Sequence, residues 1–246
     1  MNVLIATPTA GGTVTTAYAQ TLTAATRAIT AAGGDYRLAT VDGADVVISR
    51  NLLAHYMLAD PTATHVLFID GDMSVEEAVI RRFLTLDAPI VGAAYPERRM
   101  DLSAFHDAMT EQTDEPRARA LASSYTVRMS PGRKRVRDNL IEVDGLGFGC
   151  VLIRRAVFDA LVDRKIVSPF VSAKLRAGGF KTTIWDFFDE IQQDDGDWLS
   201  EDFSFCDRVR RLGDTPIIAY VGDGVGHIGA FNFNGPYVER LKAGKI

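Results

Sequence analysis

An apolar run that ends in two acids, His65-Val66-Leu67-Phe68-Ile69-Asp70-Gly71-Asp72, lies in the first third of the chain. A short run of large apolar residues closed by Asp-Gly-Asp is typical of a buried β-strand that ends at Ile69. Side chains two positions apart project to the same side of an extended chain. The run therefore predicts a strand that carries the carboxylates of Asp70 and Asp72 to one place at its C-terminal end.

Strand and helix patterns alternate around this run. Strands are predicted at 2–7, 36–41, 65–69, 89–93, 146–153, near 181–187 and at 216–221, and helices at 18–32, 49–58, 75–86, 154–164 and 200–212. Ser74 and Glu77 are spaced as a capping box for the third helix. The alternation predicts an α/β fold with a mostly parallel central sheet and helices on both faces. The polar stretch 97–140 shows no sustained period and is expected to be an inserted basic loop region.

Composition excludes several classes of protein. The chain has 246 residues, 47% hydrophobic and 24% charged, with a net charge of −5, as in an ordinary globular domain. Its apolar runs fall short of the ~18 residues of a membrane span, and no signal peptide is recognisable. Cys150 and Cys206 are too few for a disulfide framework or a thiolate zinc site. We expect one domain over 1–246 and a cytoplasmic location, which is the host cytoplasm if a phage encodes the chain.

Two carboxylates held close together repel each other unless a cation or a proton neutralises them, so Asp70 and Asp72 indicate a divalent ion. An EF-hand loop is excluded, because Val75 stands where glycine is needed and Arg81 where the bidentate acid belongs. Two interpretations stay open. Asp70 is the nucleophile of a phosphohydrolase of haloacid-dehalogenase type, or the acid pair is the DxD motif of a nucleotide-sugar glycosyltransferase.

Further motifs lie before and after the acid pair along the chain. They are Thr7-Pro8, Ser49-Arg50-Asn51, Asp144-Gly145-Leu146-Gly147-Phe148-Gly149-Cys150, Ser200-Glu201-Asp202-Phe203 and Gly226-His227. With the acid pair, this order resembles glycosyltransferases of the GT-A fold, similar to phage-type and Anp1-like transferases. The resemblance implies a single GT-A-like, Rossmann-related domain. Its parts would be a nucleotide-sugar-binding half (1–96), the inserted region (97–140) and an acceptor-side half (141–246).

The resemblance also implies roles for single residues. Asp202 would be the catalytic base of an inverting enzyme, with Glu201 positioning the acceptor or the donor sugar. In retaining members, which include the Anp1-type relatives, the matching acid need not be a base, and both stereochemistries stay open. The nucleoside diphosphate sugar would be bound by Thr7, Pro8, Arg50, Asp70, Asp72, Gly147 and Gly149. The metal ligands would be Asp70, Asp72 and His227.

The residue types admit both functional and structural interpretations. Carboxylate oxygens with one imidazole suit six-coordinate Mn²⁺, or Mg²⁺, better than zinc. Glu201 and Asp202 equally suit the positive end of a helix dipole. Gly147 and Gly149 could be sheet glycines, and Arg50 could form a salt bridge.

The acceptor is the least defined part of the prediction. Seven cations stand without an intervening acid, namely Arg117, Arg119, Arg128, Arg133, Lys134, Arg135 and Arg137. Such a segment could contact a polyanion, and a hydroxymethylated base in phage DNA is one candidate acceptor. A glycan or a protein side chain is an alternative acceptor, and the cations could instead bind the donor diphosphate. For the protein as a whole, a non-catalytic nucleotide-sugar binding module is an alternative function.

Overall fold

The computed structural model describes residues 1–111, 114–130, 132, 135–170 and 183–244. Its helices are α1 (Thr16–Ala31), α2 (Val46–Ala59), α3 (Glu77–Thr85), α4 (Leu102–Thr110), α5 (Glu115–Ala122), α6 (Arg155–Asp163), α7 (Glu201–Arg210) and α8 (Tyr237–Lys242). Its strands are β1 (Asn2–Thr9), β2 (Asp35–Asp42), β3 (His65–Ile69), β4 (Met73–Val75), β5 (Ile90–Ala93), β6 (Pro96–Met100), β7 (Ser123–Tyr125), β8 (Val127–Arg128), β9 (Leu140–Val143), β10 (Gly145–Leu146), β11 (Cys150–Arg154), β12 (Pro169–Phe170), β13 (Ile184–Trp185), β14 (Ile191–Gln192), β15 (Trp198–Leu199), β16 (Ile217–Tyr220), β17 (Val225–Ile228) and β18 (Asn232–Asn234).

A seven-stranded sheet in the order β2-β1-β3-β11-β5-β16-β9 forms the centre of the fold. Strands β2, β1, β3, β5 and β16 run in one direction, whereas β11 and β9 run against them. The predicted mostly parallel sheet is thus confirmed. The antiparallel β11 between β3 and β5 is a departure from the all-parallel order of a Rossmann sheet.

Alternate residues of the central strands enter two separate cores. Val66 and Phe68 of β3 pack in one core with α2, α6 and α7, and Leu67 and Ile69 pack in the other with α1 and α3. A strand buried on both faces needs apolar residues at every position, which explains the unbroken run in β3. Helices therefore cover both faces of the sheet, as the sequence predicts.

The predicted capping box at Ser74 is wrong. Ser74 lies in β4, opposite Gly226 of β17, and α3 begins at Glu77 after the N-cap residue Glu76, which makes no side-chain cap bond. Pairing with β17 continues through Val75, so the helix begins too late for Ser74 to stand at its N-cap position.

The predicted loop character of 97–140 is also wrong for much of the segment. It contains most of β6, the helices α4 and α5, and the short strands β7 and β8. The carboxylates of Asp101 and Asp114 accept backbone N–H groups at the starts of α4 and α5. Both helices are too short to show a periodic pattern in the sequence. The strand expected near 181–187 is present only as β13, and Lys181 and Thr182 lie outside the described residues.

Two further observations concern the whole described chain. Cys150 and Cys206 are buried and unpaired. None of the described helices combines the length and the apolar character that a bilayer crossing requires.

Candidate functional site

A cleft of about 530 Å³ opens at the C-terminal ends of β1 and β3. Its walls include the end of β1, the loop before α1, the start of α2, the loop after β3, and strand β6. The lining residues include Pro8, Thr9, Thr13, Ser49, Asp70, Asp72 and Arg98. This edge of an open α/β sheet is where ligands bind as a rule, and the volume is that of a small-molecule site. The structure therefore places both predicted acids at one cleft.

Asp72 meets His227 across 155 positions of sequence. Strand β17 pairs with β4 so that His227 lies opposite Met73, and the N–H of Ile228 donates to the carbonyl of Asp72 at 2.8 Å. This ladder brings His227 Nε2 to 3.2 Å from Asp72 Oδ2. The juxtaposition follows from backbone pairing and is not a chance contact of two flexible side chains.

The tautomer of His227 is fixed by its second nitrogen. Nδ1 lies 3.1 Å from the carbonyl oxygen of Pro96, which can only accept, so Nδ1 is the protonated nitrogen. In a neutral ring, the Nε2 lone pair then faces the Asp72 carboxylate. That contact is favourable only when Nε2 carries a proton or when a cation lies between the two groups.

Arg98 is a second partner of Asp72. Its Nη1 lies 3.1 Å from Asp72 Oδ2, although more than half of the side chain is exposed. Burial alone would raise the pKa of Asp72, but the hydrogen bond and charge of His227, followed by the charge of Arg98, lower it. Asp72 is thus held ionised at the mouth of the cleft.

Arg50 lies beneath the cleft and joins two of the predicted site residues. Its side chain is 3% exposed, its Nη2 donates to Asp70 Oδ2 at 3.1 Å, and its Nε donates to Glu201 Oε1 at 3.3 Å. The guanidinium also lies 5.6 Å from the ring centroid of Phe68 and 5.7 Å from that of Phe148. The structural alternative for Arg50, a salt bridge, is what the structure shows, but between distant elements and not along its own helix.

Two atoms of this network have no hydrogen-bond partner among the described residues. They are Arg50 Nη1 and Asp70 Oδ1, both buried. Burial raises the pKa of Asp70, and the charge and hydrogen bond of Arg50 oppose this. Burial would lower the pKa of Arg50, but the charges of Asp70 and Glu201 raise it above its ordinary value. The cation is therefore permanent, and Asp70 depends on it for its charge.

Asp202 stands beside Glu201 in the first turn of α7. Its Oδ1 accepts the hydroxyl of Ser200 and, at 2.7 Å, the backbone N–H of Phe203. Burial, and then the charge of Glu201, raise the pKa of Asp202 to about 6. A carboxylate with a pKa near the working pH has the acid–base property that general catalysis needs.

Tyr95 is a buried residue of the site that sequence reasoning missed. Its hydroxyl accepts the N–H of Gly149 at 3.1 Å, and its ring meets that of His227 edge to face at 5.2 Å between centroids. Burial, and then the charges of Asp70 and Asp202, raise its pKa. Tyr95 thus packs against His227 and lies near Asp70 and Asp202.

The glycines of the predicted donor-sugar segment are buried against Tyr95. A Cβ at Gly147 would lie 2.6 Å from the Tyr95 hydroxyl, and one at Gly149 would lie 2.7 Å from the Tyr95 ring and from Met73 Sδ. Internal packing therefore accounts for glycine at both positions, and contact with a donor sugar stays a prediction.

The remaining residues that the sequence predicts to bind the donor lie partly in the cleft and partly in the core. Pro8 lines the cleft, whereas Thr7 is buried and its hydroxyl lies 2.6 Å from that of Tyr18. Asn51, the neighbour of Arg50, bonds the Asp189 side chain and the N–H of Phe188. Thr7 and Asn51 are therefore interior residues and do not line the cleft.

The three predicted metal ligands are not assembled as a preformed set. Within the described parts of the chain, no three His, Cys, Asp or Glu side chains are grouped closely enough to hold a metal ion. Asp72 and His227 form a pair, while Asp70 faces Arg50. A three-residue ligand set stays a prediction.

The cations of the basic segment contact different parts of the molecule. Arg117 lies 3.8 Å from Glu239, Arg119 lies 2.6 Å from Glu115, and Arg128 lies over the ring of Phe203. Arg135 and Arg137 line a cavity with residues 86–88, which precede β5 and therefore lie at the opposite edge of the sheet from Asp70. Arg133 and Lys134 lie outside the described residues. The cations that the structure describes do not form one continuous surface.

Arg98 was also missed, although a signal for it is present. It follows the predicted strand 89–93 by a few residues, and side chains that follow parallel strands collect at the same edge of a sheet. Tyr95 also follows this predicted strand. The aromatic and the cation after this strand could therefore have been added to the predicted site.

Fold and cleft together define a mixed α/β protein with an acid-lined cleft at the C-terminal edge of its central sheet. No protein-family model matches the chain, and no curated protein matches it. Among solved structures, A197 from STIV is similar, with a TM-score of 0.46, 13% identity, and coverage of 93% of this chain and 86% of that one. A glycosyltransferase involved in the glycosylation of the major capsid of PBCV-1 has a TM-score of 0.34, 9% identity, and coverage of 68% of this chain and 65% of that one. Both TM-scores are below 0.5, so neither likeness assigns a family or a function.

Proposed function

We propose that this protein is a metal-dependent glycosyltransferase of GT-A type that moves a sugar from a nucleoside diphosphate donor to an acceptor hydroxyl. The observation that carries the proposal is the meeting of Asp72 and His227 at 3.2 Å beside a cleft of small-molecule size. The carboxylate of Asp72 and the Nε2 atom of His227 can form the start of a ligand set for a divalent ion.

The chemistry of this donor pair fits Mn²⁺, or Mg²⁺. Two protein ligands leave most positions of a six-coordinate ion open for water and diphosphate oxygens. The bond from Nδ1 of His227 to Pro96 is the outer contact that commonly orients a metal-binding histidine. When bound, such an ion stabilises the negative charge that develops on the departing diphosphate.

The residues of the chain have separate tasks in the proposed reaction. The acceptor oxygen forms a bond to the anomeric carbon, while the bond from that carbon to the nucleoside diphosphate breaks. Asp202 takes the proton of the acceptor hydroxyl, which suits an inverting reaction. Arg50 holds Glu201 and Asp70 in place from below, so that the acids are oriented before substrate binds.

A phosphohydrolase with Asp70 as nucleophile is less well supported by this geometry. Oδ2 of Asp70 is bonded to Arg50, and Oδ1 is buried. The carboxylate is thus tied to Arg50, although its side chain lines the cleft and is 26% exposed. A non-catalytic nucleotide-sugar module would use the same pair of Asp72 and His227. An enzyme is distinguished from such a module if an Asp202 variant loses turnover but keeps donor binding.

Nucleotide binding tests the proposal directly. We expect UDP or GDP to raise Tm only when Mn²⁺ or Mg²⁺ is present, because the diphosphate binds through the ion. At a ligand concentration of ~100 times Kd the stabilisation is ~2.7 kcal/mol. A thermal-shift panel of nucleoside diphosphates, with metal and with EDTA, measures it.

The variants Asp72→Asn and His227→Ala should lose the metal-dependent part of this shift. Asp87→Asn is the matched control, since its side chain is 93% exposed and lies before β5 at the far edge of the sheet. Equal shifts with metal and with EDTA, or an unchanged shift in both site variants, would show that no metal-dependent diphosphate site exists here.

Arg98 is expected to bind donor phosphate. Its guanidinium already reaches the cleft. When the metal ion is bound to Asp72, Arg98 would leave Asp72 and pair with the diphosphate instead. Arg98→Ala should weaken UDP or GDP binding about tenfold, as befits one charge-assisted hydrogen bond. Isothermal titration calorimetry in the presence of Mn²⁺ measures Kd.

The neighbouring Arg99 is the control for Arg98. It pairs with Glu97 and is 72% exposed, and it does not line the cleft. Arg99→Ala should leave Kd unchanged, and an equal loss in both variants would mean that only the general positive charge of this strand matters.

A further inference from the structure

A second groove, of about 790 Å³, lies next to the cleft and has no role in the donor site. Its walls come from α4, α5 and the turn between β17 and β18, and it is lined among others by Leu102, Phe105, Phe231, Asn232, Asn234 and Asp223. Leu102 and Phe231 are 74% and 49% exposed. Large apolar side chains in an open, partly polar groove indicate a binding surface.

The groove adjoins the proposed reaction centre through Arg98. Arg98 lines the cleft, and Met100, two residues further along β6, lines the groove. Gly229 lies against both Arg98 and Phe233, because a Cβ there would be 3.1 Å from Arg98 Cδ and 3.1 Å from Phe233 Cε2. Phe233 in turn lies opposite His227 in the β17–β18 ladder. A ligand in the groove would therefore extend toward Asp72 and His227.

The chemistry of the walls combines a flat apolar surface with unused polar groups. The ring of Phe231 in this wall packs on the buried ring of Phe233, with centroids 4.1 Å apart. The side-chain amides of Asn232 and Asn234 make no hydrogen bond to any described residue, and Asp223 accepts only the N–H of Gly224 through its side chain. A pyranose ring has an apolar C–H face and a rim of hydroxyls, so it needs such a surface and such donors and acceptors.

The charges of the groove disfavour a polyanion. Among the described residues, its lining has one cation, Arg119, and two acids, Glu115 and Asp223. The guanidinium of Arg119 is bonded to Glu115 at 2.6 Å, so it is already neutralised. A phosphate backbone would meet a net negative surface here, whereas a neutral sugar chain would not be repelled.

We propose that this groove binds the acceptor of the reaction and that the acceptor is a neutral oligosaccharide. The inference rests on the proposed function and specifies its acceptor class. Phe231 stacks on a sugar ring, Asn232 and Asn234 bond hydroxyl groups, and the terminal hydroxyl of the chain reaches the centre past Arg98.

Calorimetric titration of the full chain with chitotetraose, mannotetraose, cellotetraose and galactotetraose tests the groove, with a 12-base-pair DNA duplex as the polyanion. At least one tetrasaccharide should bind, and the DNA should not compete with it. Phe231→Ala should weaken that binding about three- to tenfold, as loss of one aromatic contact implies. Asn234→Ala should weaken it by a similar factor.

Tyr36→Ala is the matched control, because Tyr36 is a partly exposed aromatic that lines a different cavity, at β2. Its Kd for the tetrasaccharide should equal that of the wild type. The inference is overturned if no tetrasaccharide binds, if Phe231→Ala binds as tightly as the wild type, or if DNA displaces the sugar. UDP and GDP binding with Mn²⁺ is measured on the same samples, so failure of the donor site is seen separately from failure of the groove.

Discussion

Replacing Asp202 by asparagine is expected to lower kcat about 10²- to 10⁴-fold while donor binding is retained, because a general base contributes about that much. Asparagine keeps an oxygen that can accept the Ser200 hydroxyl and the N–H of Phe203. The first turn of α7 should therefore keep its shape. Turnover with sugar nucleotide and acceptor gives kcat, and calorimetry with UDP or GDP gives donor affinity.

The pH dependence gives this prediction a second measurement. The base must be ionised to act, and burial and Glu201 raise the pKa of Asp202 to about 6. Turnover should therefore fall as the pH is lowered through about 6. A profile that is flat between pH 5 and 8 would contradict a role for Asp202 as base.

The contribution of Asp202 to the free energy of unfolding should change with pH in the direction opposite to turnover. The folded pKa of Asp202 is raised above its ordinary value, so its contribution to stability is complete at low pH and is lost as the pH rises through about 6. Asp202→Asn should consequently be at least as stable as the wild type at pH 8. Asp207→Asn on the same helix, which breaks the partly exposed pair with Arg211, is the control and should change kcat little.

Replacing Arg50 by methionine is expected to lower the free energy of unfolding by about 3–5 kcal/mol. Methionine has a similar length and keeps contacts with Phe68 and Phe148, but it leaves Asp70 and Glu201 without their common cation. Removing one partner from a buried ionic network leaves uncompensated charge, which is far more costly than loss of a surface pair. Urea unfolding followed by circular dichroism measures the change.

The control for Arg50 is Arg37→Met. Arg37 pairs with Asp60, but its side chain is 67% exposed, so we expect a loss of at most about 1 kcal/mol. Adding Asp70→Asn to Arg50→Met should recover part of the stability, because one of the stranded charges is removed. A loss below about 1 kcal/mol in Arg50→Met would show that the network is not a structural element of the site.

The regular half of the fold was predictable because its signals are local. Strands β1, β2, β3 and β5 and the helices between them follow from apolar runs and helical spacing, and each lies where the sequence predicts it. The helices α4 and α5 were missed although Asp101 and Asp114 are capping residues and Pro116 stands in the first turn of α5. Capping signals were present there without enough residues to reveal a period.

Pairings between distant strands were not predictable in the same way. Ser74 and Glu77 satisfy the spacing of a capping box, but pairing of β4 with β17 decides the local backbone. The same pairing brings His227 to Asp72, a proximity that the sequence predicted only through its resemblance to a family. The partners of Arg50 illustrate the same limit, because Asp70 and Glu201 are 20 and 151 positions away. Local patterns contain no information on such contacts.

The position of β11 has a consequence for how the chain is made. Strands β3 and β5 are not neighbours, because β11 lies between them and bonds both. During synthesis on a ribosome, residues 1–96 emerge long before residues 150–154 can join them. Until then, the strands β3 and β5 each have an unpaired edge. We therefore expect a nascent chain stopped after β5 to depend on chaperones, and a longer nascent chain to gain protease resistance only once β11 has left the exit tunnel.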